Sequence, residues 1–426
     1  MLAGRRYLVV AVAVLATAVC ARKEETPAPT PTPERPKVFT ARALRDITVP
    51  RTPERVERGK YLSEGLLQCF VCHSERDWKK PGAPPILATK GAGYVWRAGL
   101  TAPNLTPDKE TGTGTWTDDM LIRAIREGIS HDGRVLHRQM WYASFRTLPD
   151  EDVEAIVAYL RSLKPIRNPL PRTTLTEKEV KDLEVPEPLT LPAPPGPPVT
   201  DVVERGRRLA WLADCSGCHT SWHTPKNPGL YGGGNLIERG DLKTYSANIT
   251  SDDSGITHYD AAFFREVMRT GKARGRELSP LMPWTVFRNL NDEDLDALFA
   301  YLRALPKVKH VIDNIDKPTK CVICENEHPL GQYNKPPEIK LVSTPLAELK
   351  DTVGTYRAED GFQFDIAIEN GKFMVKFSKD DGCELVTENR RVYFCQGAVE
   401  RIEFVRDASG KVTGLTNILE PARKIK

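Results

Sequence analysis

The chain has 426 residues, enough for two to four domains of ordinary size. Its formal net charge is only +4, and two of the cations, Arg5 and Arg6, lie at the extreme N-terminus, so no nucleic-acid partner is implied. The 34 prolines cluster, which predicts linkers between globular blocks.

Arg5 and Arg6 precede an apolar run, Tyr7 to Val19, too short to cross a bilayer comfortably. Residues 1–20 therefore read as an export or lipoprotein signal. Cys20 follows the run at once and is a lipidation candidate. Thr17-Ala18-Val19 departs from the usual lipobox, and Ala16-Thr17-Ala18 suits an ordinary signal peptidase, so lipid anchoring to the membrane and simple secretion both fit. Residues 21–53, rich in Pro, Thr, Glu and Lys, form a disordered tether.

Two blocks follow, 54–164 and 201–305, joined by a Pro-rich linker over 165–200. Each carries Cys-x-x-Cys-His: Cys69-Phe70-Val71-Cys72-His73 and Cys215-Ser216-Gly217-Cys218-His219. Two thiols at this spacing add to the vinyl groups of a haem, and the next residue sets an imidazole under the iron. A redox dithiol has no need of the His, and a Cys2His2 finger requires a second His close by. The expectation is two covalently bound haem c groups, held by Cys69, Cys72, Cys215 and Cys218. Such attachment takes place outside the cytoplasmic membrane, in agreement with the export signal.

The two blocks are an internal repeat. Arg58-Gly59 matches Arg205-Gly206, Pro103-Asn104-Leu105-Thr106 matches Ala247-Asn248-Ile249-Thr250, and Tyr159-Leu160-Arg161 matches Tyr301-Leu302-Arg303. Each copy predicts a helix into the haem motif. A second helix is capped by Thr117 or Asp260 and stopped by Gly128 or Gly271. A third starts at Asp150-Glu151-Asp152 or Asp292-Glu293-Asp294, acids suited to a helix N-terminus. His73 and His219 are the proximal iron ligands. Met140 and Met282 keep the same place in both copies and are the distal candidates, with His137, which aligns with Ser279, as the rival in the first copy. Trp141, Tyr142, Trp284, Tyr94 and Trp96 wall the haem crevices or fill the core, and Asn104 and Asn248 fix loops or meet propionates.

On these residues the chain resembles the class I c-type cytochromes. In that fold the first and last helices cross at a small residue against an aromatic, roles fitted by Gly59 with Tyr159 and Gly206 with Tyr301. The Asn-Leu/Ile-Thr loop with a late Met is similar to the cytochrome subunits of membrane-bound alcohol and gluconate dehydrogenases. Those subunits generally carry three such units, and this chain has two. The resemblance implies a redox protein partner, a dehydrogenase or a terminal acceptor.

Residues 306–345 read as an irregular linker. Cys321-Val322-Ile323-Cys324 is followed by Glu325, which disfavours a third haem. His328 is near, but one His and two Cys leave a zinc site incomplete. Disulfides are expected for Cys321 with Cys324, a redox-active one being the lesser option, and for Cys383 with Cys395. Over 346–426 the period becomes alternating: Phe362, Phe364, Ile366 and Ile368, then Phe373, Val375 and Phe377. Asn370-Gly371 predicts a hairpin, Asp407 to Gly410 another, and a Glu388-Asn389-Arg390 loop would set Cys383 against Cys395. A small antiparallel β-barrel-like domain is expected. Val353-Gly354-Thr355-Tyr356 and Phe404-Val405-Arg406-Asp407 are similar to accessory C-terminal β-domains of secreted bacterial hydrolases, which implies a docking or packing module.

The fold class is thus multidomain: two mainly-α cytochrome c domains, then a small β-domain. The expected function is an exported, periplasmic dihaem c-type cytochrome that passes electrons between periplasmic or membrane redox partners. The alternative is a dihaem enzyme of peroxidase or thiosulfate-oxidising type, which would need an open or unusual sixth iron position.

Overall fold

The computed structural model describes residues 41–181, 189, 200–222, 228–335, 340–359, 361–378, 381–395, 401–417 and 421–426. The expected export signal over residues 1–20, with Cys20, lies outside the described residues.

The first haem block is built from α1 (Pro53–Tyr61), α2 (Asp118–Glu127) and α3 (Asp150–Ser162), and the second from α4 (Val202–Leu212), α5 (Ala261–Thr270) and α6 (Asp292–Ala304). Caps set the limits of α2 and α5. The Thr117 hydroxyl accepts from the Met120 amide and the Asp260 carboxylate from the Phe263 amide. Gly128 (φ 64°) and Gly271 (φ 67°) close the two helices in the left-handed region. Met120 is a capping residue rather than core, since its sulfur takes the Thr117 amide, whereas Met268 is buried.

Acids in the first turns of α3 and α6 hold the other helices by ion pairs as well as facing the helix dipole. Asp150 pairs with Arg126 of α2 and Asp152 with Arg58 of α1. Their copies repeat the pattern: Asp292 takes Arg269 of α5 and Asp294 takes Arg205 of α4.

α1 crosses α3 at Gly59, and α4 crosses α6 at Gly206. A Cβ at either glycine would fall 1.9 Å from a facing carbonyl oxygen, of Ala155 or of Ala297. The expected aromatic partners stand one turn on: a Cβ at Gly206 would be 2.7 Å from the Cβ of Tyr301. The contact leaves no room for a methyl.

One hydrophobic core runs through both blocks. It takes in Leu62, Leu66, Phe70, Ile122, Ile156 and Leu160 from the first and Leu209, Phe264, Leu290, Leu295, Leu298 and Leu302 from the second. The short helical turn Trp284–Phe287 of the second block packs near Leu62–Leu66 of the first, with Leu290 meeting Gly65. The equivalent turn of the first block, Tyr142–Phe145, packs on α4. The two contacts are reciprocal, as for a pair of repeats related by an approximate twofold.

Within residues 306–345 a two-stranded hairpin forms from β1 (Pro318–Lys320) and β2 (Glu327–Pro329). Eight antiparallel strands then follow as a meander: β3 (Gly354–Ala358), β4 (Gln363–Glu369), β5 (Lys372–Lys376), β6 (Gly382–Thr387), β7 (Val392–Cys395), β8 (Ile402–Arg406), β9 (Val412–Asn417) and β10 (Ala422–Lys424). β10 pairs with β3, so the sheet closes into a barrel without a free edge. Asn370 (φ 51°) and Gly371 (φ 76°) make the tight turn that their sequence signals. Ile366, Phe373, Val375, Tyr356, Leu385 and Leu415 fill the interior.

Cys383 and Cys395 are disulfide-bonded, but the β6–β7 register differs from the sequence expectation. Thr387 pairs with Tyr393 and Leu385 with Cys395, so the loop runs over 388–392 and the cysteines meet diagonally. Two Asx- and Thr-type caps lengthen the turn. The Thr387 hydroxyl accepts from the Asn389 and Arg390 amides, and the Asn389 side chain from the Arg391 and Val392 amides.

Cys321 and Cys324, expected as a second disulfide, are unbonded buried thiols. The hairpin turns both toward two imidazoles, and the disulfide is not formed.

Gly206→Ala is expected to lower stability by about 3 kcal/mol, because a packed helix crossing must open to admit the methyl. A thermal melt followed at the haem band measures this, and a melting temperature within a degree or two of wild type would contradict the crossing. Replacing Cys383 and Cys395 by Ala should destabilise the barrel by about 3 kcal/mol, as for release of a loop of roughly a dozen residues. Haem absorption should be unchanged in that variant.

Candidate haem sites

Each haem motif opens with a residue in the left-handed conformation, Gln68 (φ 54°) or Asp214 (φ 53°), which turns the chain sharply into a helical turn. The turns Cys69–Cys72 and Cys215–His219 bring the two thiols of each motif to one side. Phe70 is buried and packs edge-on to Tyr159 at 6.1 Å, with Tyr231 and Tyr301 making the like contact at 5.9 Å in the second block. All four cysteines are free and half-buried. Burial pushes their thiols up, to about 12 for Cys69 and Cys215 and about 11 for Cys72 and Cys218, which keeps them as thiols at neutral pH.

The histidines are fixed by one recurring device. His73 donates from Nδ1 to the Pro103 carbonyl at 2.7 Å, and His219 donates from Nδ1 to the Ala247 carbonyl at 2.8 Å. Burial lowers both imidazole pKa values, opposed by these hydrogen bonds. Each ring therefore stands neutral with its proton on Nδ1 and a lone pair on Nε2, the state that binds iron.

The loop carrying each accepting carbonyl is tied down by the next asparagine. Asn104 donates to the Ile166 carbonyl at 2.7 Å and accepts from the amide and hydroxyl of Thr106. Asn248 donates to the Val308 carbonyl at 2.6 Å and accepts from Thr250 in the same way. Both asparagines are loop-fixing residues. The carbonyl of each motif histidine is held too, by the Gly93 amide at 2.9 Å and the Gly233 amide at 2.7 Å. Gly93 adopts φ 87°, and a Cβ there would lie 2.7 Å from the Ala102 carbonyl oxygen.

Met140 and Met282 each close a tight turn of the same form, with amide bonds to the His137 and Ser279 carbonyls at 2.9 and 3.0 Å. Both are half-buried against the shared core. His137 is engaged elsewhere: its Nε2 lies 3.2 Å from Glu179, and its Nδ1 accepts from the Gln139 amide. His131 stacks on Trp116, with centroids 4.3 Å apart.

The two motifs adjoin. Gln68, one residue before Cys69, donates from its side chain to the Ala213 carbonyl, two residues before Cys215, at 2.6 Å. The Asp214 carboxyl caps the Gly217 amide at 3.0 Å, and burial raises its pKa to about 7. Trp141, beside Met140, leans on Trp211 of α4 with ring centroids 6.4 Å apart. Arg239 of the second block lies over Trp78, Tyr94 and Trp96 of the first, at 4.3, 5.1 and 5.3 Å. Tyr94 and Trp96 thus serve the contact between blocks, a role that sequence reading missed. Their only signal was a pair of aromatics on a short ribbon in one copy without counterparts in the other.

The donor set fits haem c at both places: two thiols on one side of a helical turn, and a neutral imidazole aimed by a backbone hydrogen bond. The cytochrome c family model matches residues 56–164 and 203–306. The chain is 30% identical to the fructose dehydrogenase cytochrome subunit of Gluconobacter japonicus over 59% of its own length and 52% of that protein's. It is 24% identical to the cytochrome c subunit of the quinone alcohol dehydrogenase of Gluconobacter oxydans over 71% of this chain and 65% of that one. A dihaem cytochrome c-type protein of Cereibacter sphaeroides is 27% identical over 57% of this chain and 83% of its own. The chain thus spans only about half to two thirds of the two dehydrogenase subunits. With its paired Cys-x-x-Cys-His motifs, this chain belongs to the cytochrome c family and carries two covalent haem c groups.

Proposed function

We propose that the chain is an exported, membrane-tethered electron carrier that takes electrons from a dehydrogenase and passes them through its two haems to a redox acceptor. The observation that carries this is the Gln68–Ala213 hydrogen bond, which sets the two attachment motifs side by side in one core. When bound, each haem c supplies a one-electron redox centre. The protein's part is to anchor, orient and shield it. Cys69 with Cys72 and Cys215 with Cys218 hold the thioether bonds. His73 and His219 would bind the iron through Nε2, and Met140 and Met282 would bind it through their thioethers. An iron held in this way by protein side chains alone would have no coordination place for a substrate, which favours carriage over bond-making chemistry.

The dehydrogenase partner is supported by the relatives that are cytochrome subunits of fructose and alcohol dehydrogenases. Export is supported by the N-terminal signal and by the barrel disulfide, which belongs to an oxidising compartment. Cys20 is the proposed lipid attachment point. Among the described residues no helix is long and apolar enough to cross a membrane.

Absorption spectroscopy through a redox titration, repeated with carbon monoxide and peroxide, tests the carrier reading. Two low-spin haems with no ligand response are expected, and a high-spin haem reacting with either ligand would replace the carrier by an enzyme. Met140→Ala should make one of the two haems high-spin and carbon monoxide-binding and lower one of the two potentials, with Met282→Ala acting on the other. A variant with an unaltered spectrum would remove that Met from the ligand set. Cys20→Ser should shift the protein from the membrane to the soluble fraction, and unchanged fractionation would exclude a lipid anchor.

A further inference from the structure

We propose that His310, Cys321, Cys324 and His328 form a closed, tetrahedral site for a structural zinc ion. All four side chains are fully buried at 0% exposure. One ligand atom from each lies within 4.8 Å of all the others. The Nε2 atoms of the two histidines are 3.0 Å apart, and the Cys321 sulfur is 3.6 Å from Nε2 of His310. Zinc bonds of 2.0–2.3 Å at tetrahedral angles set ligand atoms roughly 3.3–3.8 Å from one another, so small adjustments suffice.

The hydrogen bonding of the imidazoles supplies an independent argument. Nδ1 of His310 lies 2.7 Å from the Gly232 carbonyl oxygen, and Nδ1 of His328 lies 3.0 Å from that of Pro329. A carbonyl only accepts, so each ring carries its proton on Nδ1 and turns a bare lone pair on Nε2 toward the other. Two buried lone pairs facing at that distance repel, and a cation between them satisfies both.

The chain is folded to make this cluster. Cys321 and Cys324 sit at the tip of the β1–β2 hairpin, where the Cys321 amide bonds to the Asn326 carbonyl at 2.8 Å and Glu325 takes φ 59° to turn the chain. His328 returns on β2 opposite Thr319. His310 comes from the segment that leaves α6. Gly234, at φ 102°, makes room for it, since a Cβ there would lie 2.7 Å from Cε1 of His310.

The internal repeat shows what is added. In the first block Asn168 occupies the place of His310: its amide bonds to the Thr111 hydroxyl as that of His310 bonds to the Ser254 hydroxyl. Its side chain donates to the Ala92 carbonyl at 2.9 Å, the counterpart of the Gly232 carbonyl. An asparagine is thus sufficient to hold this loop behind a proximal histidine. The imidazole does the same with Nδ1 and brings a second nitrogen beside Cys321 and His328, within ligand reach of all three other groups.

Two thiolates and two neutral imidazoles around Zn²⁺ make a site of zero net charge, which suits full burial. The two thiol protons leave to solvent on binding. Four protein ligands leave no open position, so the site is structural. It would clip the hairpin to the loop that holds the carbonyl of His219, and it does not depend on the electron-carrier reading.

The test is metal analysis of the full-length, haem-loaded protein purified without chelators. About one zinc per two irons is expected, with X-ray absorption at the zinc edge showing two sulfur and two nitrogen neighbours at about 2.3 and 2.0–2.1 Å. His310→Asn, which restores the residue of the first block, should lose most of the zinc while both irons remain, and Cys321→Ser should do the same. A protein with two irons, no zinc and a mapped Cys321–Cys324 disulfide would overturn the proposal. A third iron in place of zinc would overturn it equally.

Discussion

The bond on which the haem blocks depend is the one from the imidazole of each haem motif to a backbone carbonyl, His73 to Pro103 and His219 to Ala247. A metal-binding histidine must have one nitrogen protonated and the other bare, and must hold the ring plane steady. The carbonyl does both, but only if its own loop cannot move. That need explains Asn104 and Asn248, which tie the loop to the chain leaving the last helix, and Gly93 and Gly233, whose amides hold the histidine carbonyls. The segments after α3 and α6 are therefore parts of the haem pockets, since Ile166 and Val308 supply the carbonyls that receive the asparagine side chains.

Two such pockets could sit on a flexible string, but these share a core. The proline-rich sequence between them predicts a linker and says nothing about docking. Docking is carried by contacts that no periodicity displays: a left-handed Gln68 reaching Ala213, Trp141 against Trp211, and Arg239 over three aromatic rings of the other block. Arg76 lies over Trp78 as well, and burial together with the charge of Arg239 lowers its pKa to about 10. Two guanidinium groups beside one indole carry mutual repulsion, offset by the ring faces and by the Pro280 carbonyl that accepts from Arg76 at 2.9 Å. Such an arrangement fixes orientation between blocks more than it adds stability.

What was legible in the sequence was local or repeated. Caps at Thr117 and Asp260, stops at Gly128 and Gly271, the Asn370-Gly371 turn and the haem pentapeptides all act within a few residues of themselves, and the repeat doubled all of these except the turn. The glycine crossings were legible through resemblance, and the 1.9 Å distances give their physical reason. The β6–β7 register was not legible, because side-chain caps from Thr387 and Asn389 lengthened a loop that hydrophobic alternation alone would have made shorter. The Cys321–Cys324 expectation failed for a different cause. The set seemed one ligand short because His310 belongs to the exit of the second haem block, eleven residues before Cys321 and outside any finger-like spacing. Matching it to Asn168 in the first block would have marked it as a departure in need of explanation.

The closed barrel at the C-terminus bears on how the chain meets other proteins. Eight strands in a meander with β10 joined to β3 leave no edge for strand addition, so a partner must be met through side chains or loops. Most of its large apolar residues point inward, while Phe362 and Phe377 are exposed, 6.3 Å apart with Phe364 beside Phe362. The haem blocks expose large apolar side chains as well, among them Leu87 and Trp222. A partner at the barrel would therefore gain apolar contact from these phenylalanine rings and no backbone pairing.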